Sequence, residues 1–92
     1  MRYVLRRRDP NGYIEEIPLT DRLVIGRDNA DVRIAGDRFA SGRHAEVQIA
    51  GEQVILRDLD SRNGTFVRLD GEIELRNGDV LLVGRQLLRY LE

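Results

Sequence analysis

The stretch Ala45-Glu46-Val47-Gln48-Ile49-Ala50-Gly51-Glu52-Gln53-Val54-Ile55-Leu56 sets the fold class of this 92-residue chain. Ala45, Val47 and Ile49 alternate with polar residues, Ala50-Gly51-Glu52 breaks the alternation, and Val54 and Leu56 resume it. A side-chain period of two turns one face of each run toward a core and the other toward water, as in a half-buried strand. The glycine between them marks a turn.

The same grammar extends in both directions. Asp9-Pro10-Asn11-Gly12, Gly26, Gly36-Asp37, Asn63-Gly64, Asp70-Gly71, Asn77-Gly78 and Gly84 punctuate apolar runs that are short, β-branched or alternating. Tyr3/Leu5, Ile14/Ile17, Leu23/Ile25, Val32/Ile34, Val80/Leu82 and Leu88/Tyr90 are expected to join the first two runs in pointing inward. Asn11-Gly12 and Asn77-Gly78 have the dipeptide chemistry of tight hairpins. The run from Val80 to Leu91 also fits a helical stripe, but Gly84 in its middle and Asn77-Gly78 before it favour a hairpin. Many short strands with frequent turns predict an all-β antiparallel sandwich or barrel. Residues 1–92 are expected to form one domain, since the chain is too short for a second core. That domain is either a whole protein or a module of a larger one.

Composition removes several function classes. There is no cysteine, hence no disulfide, thiolate or cysteine-zinc chemistry. No run approaches the roughly 18 apolar residues of a membrane span. Met1-Arg2-Tyr3-Val4-Leu5-Arg6 lacks the apolar core of a signal peptide, so a cytoplasmic location is the simplest expectation. Net charge is −1, acids and bases alternate, and only five aromatics are present, which argues against nucleic acid. All fifteen Lys/Arg positions are Arg. Its flat fork of donors can meet a phosphate with two bonds at once. Coding bias accounts for most of the fifteen, so position has to assign any role. The run Arg6-Arg7-Arg8 reads as a solvated strand end.

Three polar clusters fall between the strands: Gly26-Arg27, Ser41-Gly42-Arg43-His44 and Ser61-Arg62-Asn63-Gly64-Thr65. Loops on a rigid scaffold usually carry binding residues. Gly26-Arg27 alone reads as a strand-ending glycine and a surface ion pair. It lies fourteen positions before Ser41, with Val32-Arg33-Ile34 between, so the two loops can share one end of a sandwich. Ser41 and His44 invite a hydrolase reading. Against it, His44 opens the strand Ala45 to Ile49, and residues three apart in an extended chain point to opposite faces. No G-x-S-x-G elbow surrounds Ser41 either. His44 is better read as a structural group whose ring nitrogens bond loop backbone and hold the Ser41 loop in shape. The Asn63 carboxamide can bond a partner's N–H and C=O together, which suits peptide backbone. Asp58-Leu59-Asp60-Ser61-Arg62-Asn63 begins like a calcium loop, but Arg62, Asn63 and Leu69 occupy positions that such a loop gives to a ligand, a glycine and a glutamate. Without lysine there is no Walker loop, and no G-x-G-x-x-G occurs. Neither a metal nor a cofactor is expected.

In order and spacing, the chain resembles a forkhead-associated (FHA) domain nearly end to end. The resemblance rests on Gly26-Arg27, Asp31-Val32-Arg33-Ile34, Ser41-x-x-His44-Ala45-Glu46-Val47, Asp58-Leu59-x-Ser61-x-Asn63-Gly64-Thr65-Phe66-Val67 and Leu75-x-Asn77-Gly78-Asp79-Val80. It implies a β-sandwich of about eleven strands whose loops at one end bind threonine-phosphorylated proteins or peptides. By position, Arg27 and Ser41 would hold the phosphate, with Arg62 and Arg43 as additional donors. Asn63 would hold peptide backbone, while Gly26, His44 and Gly64 would be architectural. Two departures stand out. The family has Arg directly after the loop serine, whereas here Gly42 intervenes before Arg43. Its second Asn-Gly is replaced by Arg68-Leu69-Asp70-Gly71. A phosphate-independent adaptor that binds partners through a sheet face is the alternative.

Overall fold

The computed structural model describes residues 3–8, 11–66 and 73–92. Ten strands lie among them, where the resemblance implies about eleven. They are β1 (Tyr3–Arg8), β2 (Ile14–Leu19), β3 (Arg22–Gly26), β4 (Val32–Arg33), β5 (Ala45–Ala50), β6 (Gln53–Asp58), β7 (Thr65–Phe66), β8 (Ile73–Glu74), β9 (Val80–Val83) and β10 (Gln86–Leu91). One sheet has the order β2-β1-β10-β9-β7 and the other β4-β3-β5-β6-β8. Arg68-Leu69-Asp70-Gly71 and Asp9-Pro10 lie outside the described residues.

Alternation builds the core. Leu5, Leu81, Val83, Leu88 and Tyr90 from the first sheet meet Ile25, Val32, Ala45, Val47, Val54 and Leu56 from the second, all essentially sealed from water. At roughly 1.5–3 kcal/mol for each large apolar side chain buried, this layer is the main stabilising term. Tyr3 stacks on Tyr90 with ring centroids 6.3 Å apart. The Tyr90 hydroxyl donates to Glu92 Oε2 at 3.1 Å. Burial, and then that carboxylate, pushes the phenol well above its usual range.

The expected sandwich is therefore present, with several differences. Val80 is exposed and Leu82 only half-buried, while Leu81 and Val83 point inward. All four residues of β9 are apolar, so alternation carries no phase there. The pairing Leu88↔Leu81 and Gln86↔Val83 sets it instead. Ile14 points outward because Leu5 opposes Ile17, which gives the core phase of β2 to Ile17 and Leu19. Asn77-Gly78 makes a turn, with Gly78 at φ 92° and the Asp79 N–H donating to the Arg76 carbonyl. That turn is not a hairpin: it passes from β8, paired with β6, to β9 in the opposite sheet. Finally, one pairing is parallel. β4 runs alongside β3 after a loop of only 27–31. Asp31 holds that loop closed, its N–H donating to the Val24 carbonyl and its Oδ2 accepting from Val24 N–H, both at 2.9 Å.

The hairpin anticipated at Gly84 forms, and the turn read at Gly51 proves to be a hairpin too. Each is a two-residue loop, Gly84-Arg85 or Gly51-Glu52, with a positive-φ glycine first. Such a turn twists in the same sense as its flanking strands. By contrast, β1 and β2 pair through Arg8↔Ile14, so Asn11-Gly12 falls in a five-residue connection and not in a tight two-residue loop. The registers Ile25↔Ala45 and Ala45↔Asp58 bring the exit of β3, the entry of β5 and the exit of β6 to one end of the sandwich.

Candidate functional site

At that end, the loops 27–31, 34–44 and 59–64 are tied together through backbone groups. The Arg27 N–H donates to the Ser41 carbonyl at 2.9 Å, and the Asp28 N–H donates to the Gly42 carbonyl at 3.3 Å. Gly26 makes this approach possible. A Cβ on it would stand 2.1 Å from the Gly42 carbonyl oxygen, so no larger residue fits without moving the 41–43 backbone. The architectural role expected of Gly26 is thus a matter of space, not of φ.

His44 is fully buried at the centre of the arrangement. Its Nδ1 accepts from the Ser41 N–H at 2.9 Å, which leaves Nε2 as the protonated nitrogen, donating to the Gly64 carbonyl at 2.7 Å. Its own N–H donates to the Ile25 carbonyl and its carbonyl accepts from Leu59 N–H. One residue thereby fixes the ends of three loops. Ser41 and His44 do meet, contrary to the extended geometry expected, because residues 41–44 turn before β5 begins. They meet through the Ser41 backbone. With both ring nitrogens occupied by main chain, His44 is not placed to act as a base on the Ser41 hydroxyl.

The Ser41 Oγ accepts from the Arg62 N–H at 3.0 Å, which draws the 59–64 loop onto the 35–44 loop. A hydroxyl has one proton to donate as well as lone pairs. That proton has no acceptor among the described residues. Arg27 is partly exposed, and its Nε bonds Asp28 Oδ2 at 3.1 Å, the surface ion pair that its context suggested. Arg43 and Arg62 are exposed and have no ion-pair partner among the described residues. Asn63 Nδ2 donates to the Phe39 carbonyl at 2.9 Å. Gly64 sits at φ 81°, the left-handed conformation that glycine tolerates.

The hydroxyls of Ser61 and Thr65 turn inward. Both donate to Asp58 Oδ1, while Ser61 N–H donates to Asp58 Oδ2 at 2.9 Å and Ser61 Oγ accepts from Gly64 N–H at 2.9 Å. Partial burial pushes the Asp58 carboxyl up. The bonds from Ser61 and Thr65 outweigh that and hold it below the ordinary 3.8. A carboxylate lowered on folding adds stability above that ordinary value and loses it as pH falls through the lowered one. Asp58→Asn is therefore expected to flatten the acid limb of stability. Thermal melts from about pH 5 to about pH 2 should show the parent losing Tm more steeply than the variant.

Two residues were not anticipated. Phe39 is half exposed, and the Arg85 guanidinium lies 5.5 Å from its ring centroid. Asp37 ties both into the site, accepting from Phe39 N–H at 2.9 Å and from Arg85 N–H at 2.8 Å. The available signal was a lone aromatic in Gly36-Asp37-Arg38-Phe39, a loop that belongs to no alternating run.

Arg27, Ser41, Arg43, His44, Arg62, Asn63, Gly26 and Gly64 thus fall within one interlocked set of loops. The family model named FHA domain matches residues 23–84. The chain belongs to the FHA domain family. No curated relative matches the sequence. Among solved structures, the FHA domain of CT664 from Chlamydia trachomatis superposes with a TM-score of 0.89 at 24% identity, covering 100% of this chain and 98% of that one. An FHA domain studied for phosphothreonine-dependent interactions is 29% identical, with a TM-score of 0.82 and coverage of 100% and 97%. The FhaA FHA domain, solved in complex with the intracellular domain of Rv3910, is 31% identical, with a TM-score of 0.77 and coverage of 96% and 98%. FHA domains are interaction modules. Asn63 itself bridges two loops through a single exposed bond. Asn63→Ala is expected to lower stability by only about 0.5–1.5 kcal/mol, measurable as a small shift of the urea midpoint.

Proposed function

We propose that this FHA domain binds threonine-phosphorylated proteins or peptides at the tip built around Ser41, coupling a phosphorylation event to protein association. The observation that carries the reading is the state of Ser41. Its backbone is held by Arg27 and His44 and its Oγ by Arg62 N–H, while the hydroxyl proton is uncommitted among the described residues. Arg27, Arg43 and Arg62 stand on the segments so joined. A phosphothreonine brings about −1.5 to −2 charge at pH 7 and three strong acceptor oxygens. In this reading the Arg27 guanidinium and the Ser41 hydroxyl hold the phosphate, and Arg62 and Arg43 add donors at its edge. Asn63 keeps a carboxamide oxygen for the peptide main chain. Support also comes from the relative that engages in phosphothreonine-dependent interactions and from the one solved with a partner's intracellular domain.

Titration calorimetry with a phosphothreonine peptide and its unmodified twin tests the proposal. The phosphorylated peptide should bind and the twin should not. Its affinity should decline as pH drops below about 6, where the phosphate takes up its second proton. Equal affinities for the two peptides would defeat it.

A further inference from the structure

The outer face of the β2-β1-β10-β9-β7 sheet carries a second surface with its own chemistry. Register places Arg8 opposite Ile14, Arg6 opposite Arg89, Leu87 opposite Leu82 and Arg89 opposite Val80. Ile14, Leu87 and Val80 are 54%, 58% and 39% exposed, so three of the five large apolar side chains exposed among the described residues gather on this face. Scattered exposed apolar residues are ordinary, but a contiguous group marks an interaction site. Arg6, Arg8 and Arg89 line the same shallow depression.

The charges are arranged against the sheet's own stability. Arg6 and Arg89 face each other directly across two central strands, a like-charge pairing that weakens a sheet. Glu16 neutralises Arg6 from the far side. Neither Arg8 nor Arg89 has an ion-pair partner among the described residues. A face that keeps apolar side chains wet and two cations uncompensated matches a ligand that supplies apolar groups and carboxylates together.

We infer that this face is a phosphate-independent docking surface for a partner segment in which Asp or Glu alternates with leucine-like side chains. The leucines of the segment cover Ile14, Leu87 and Val80, and its carboxylates pair with Arg8 and Arg89. Charge complementarity selects this occupant. A second copy of the chain would bring arginine against arginine. A bilayer of anionic lipid would press negative charge onto Glu16 as well.

The test uses the whole chain and two unphosphorylated synthetic peptides, one alternating Leu with Glu and Asp, the other with Lys in place of each acid. Backbone amide NMR shifts are followed during titration. The acidic peptide should move Ile14, Val80, Leu82, Leu87 and Arg89, leave Arg27 and Ser41 in place, and bind more weakly as salt is raised. Leu87→Ser, with unchanged melting, and Arg89→Glu, which also sets a carboxylate opposite Arg6 and so should melt no lower than the parent, should each weaken it roughly tenfold. Arg27→Ala should leave it intact, so failure here and failure of the phosphothreonine reading are separate results. Equal binding of the lysine peptide, shifts confined to the tip, or no shifts at all overturn the inference. So do concentration-dependent shifts without peptide, which would mean self-association. Co-sedimentation with phosphatidylserine vesicles but no peptide binding would overturn it in favour of a membrane.

Discussion

Arg27→Ala is expected to erase the difference between a phosphothreonine peptide and its unmodified twin while leaving the fold nearly as stable as before. A hydrogen bond to a charged group is worth roughly 1.5–3 kcal/mol. A guanidinium meeting a phosphate through two nitrogens therefore accounts for about a hundredfold or more in affinity. The deletion has a second effect. Asp28 now bonds Arg27 Nε at 3.1 Å, and without that cation its carboxylate would face the incoming phosphate unscreened. Arg27→Lys keeps the charge but loses the fork, and should fall between parent and alanine variant. Stability should hardly change, because exposed ion pairs contribute only about 0–1 kcal/mol. Calorimetry on both peptides, with a thermal melt of each variant, reads all of this. An alanine variant that keeps most of its phosphate discrimination would remove Arg27 from the site.

The second large effect belongs to His44, and it is one of stability. His44→Ala deprives the Ser41 N–H and the Gly64 carbonyl, both partly buried, of a partner that is itself fully buried. Each orphaned group costs about 1–3 kcal/mol. The cavity left by the imidazole adds to that. For a domain of this size the melting temperature should fall by at least about 10 °C. Hydrogen exchange should quicken first at Ser41 and Arg62, because the two loops lose their common anchor before the sheets lose their core. If the variant melts within a few degrees of the parent, His44 is a spectator and the account of how the tip is held fails.

The distinction between these two residues explains what the sequence did and did not disclose. Period-two alternation in β5 and β6, and glycine at Gly51 and Gly84, are local signals, and the sandwich followed from them. The phase of β9 was not local. Val80-Leu81-Leu82-Val83 reads the same in either phase, and only the partner strand β10 decides it. Asn77-Gly78 disclosed a turn, but which strands a turn joins depends on long-range pairing. The ordered motifs lie on loops that the structure joins at one end of the sandwich, and the structural reading of His44 anticipated backbone partners. What remained hidden was convergence: that Asp37 would tie the Phe39 loop to the β9–β10 hairpin, and that the Ser41 hydroxyl would take the Arg62 N–H. Those contacts join residues far apart in the chain and leave no periodic trace.

One consequence follows from the way Gly26, Gly42, His44 and the Ser41 carbonyl hold the loops together. The fastening is done by main chain, by one interior ring and by the short side chains of Asp37, Ser41, Asp58, Ser61 and Asn63, so the outward side chains at positions 38, 43 and 62 take no part in it among the described residues. Substitution at those three positions is expected to change the chemistry presented at the tip without endangering the frame beneath it.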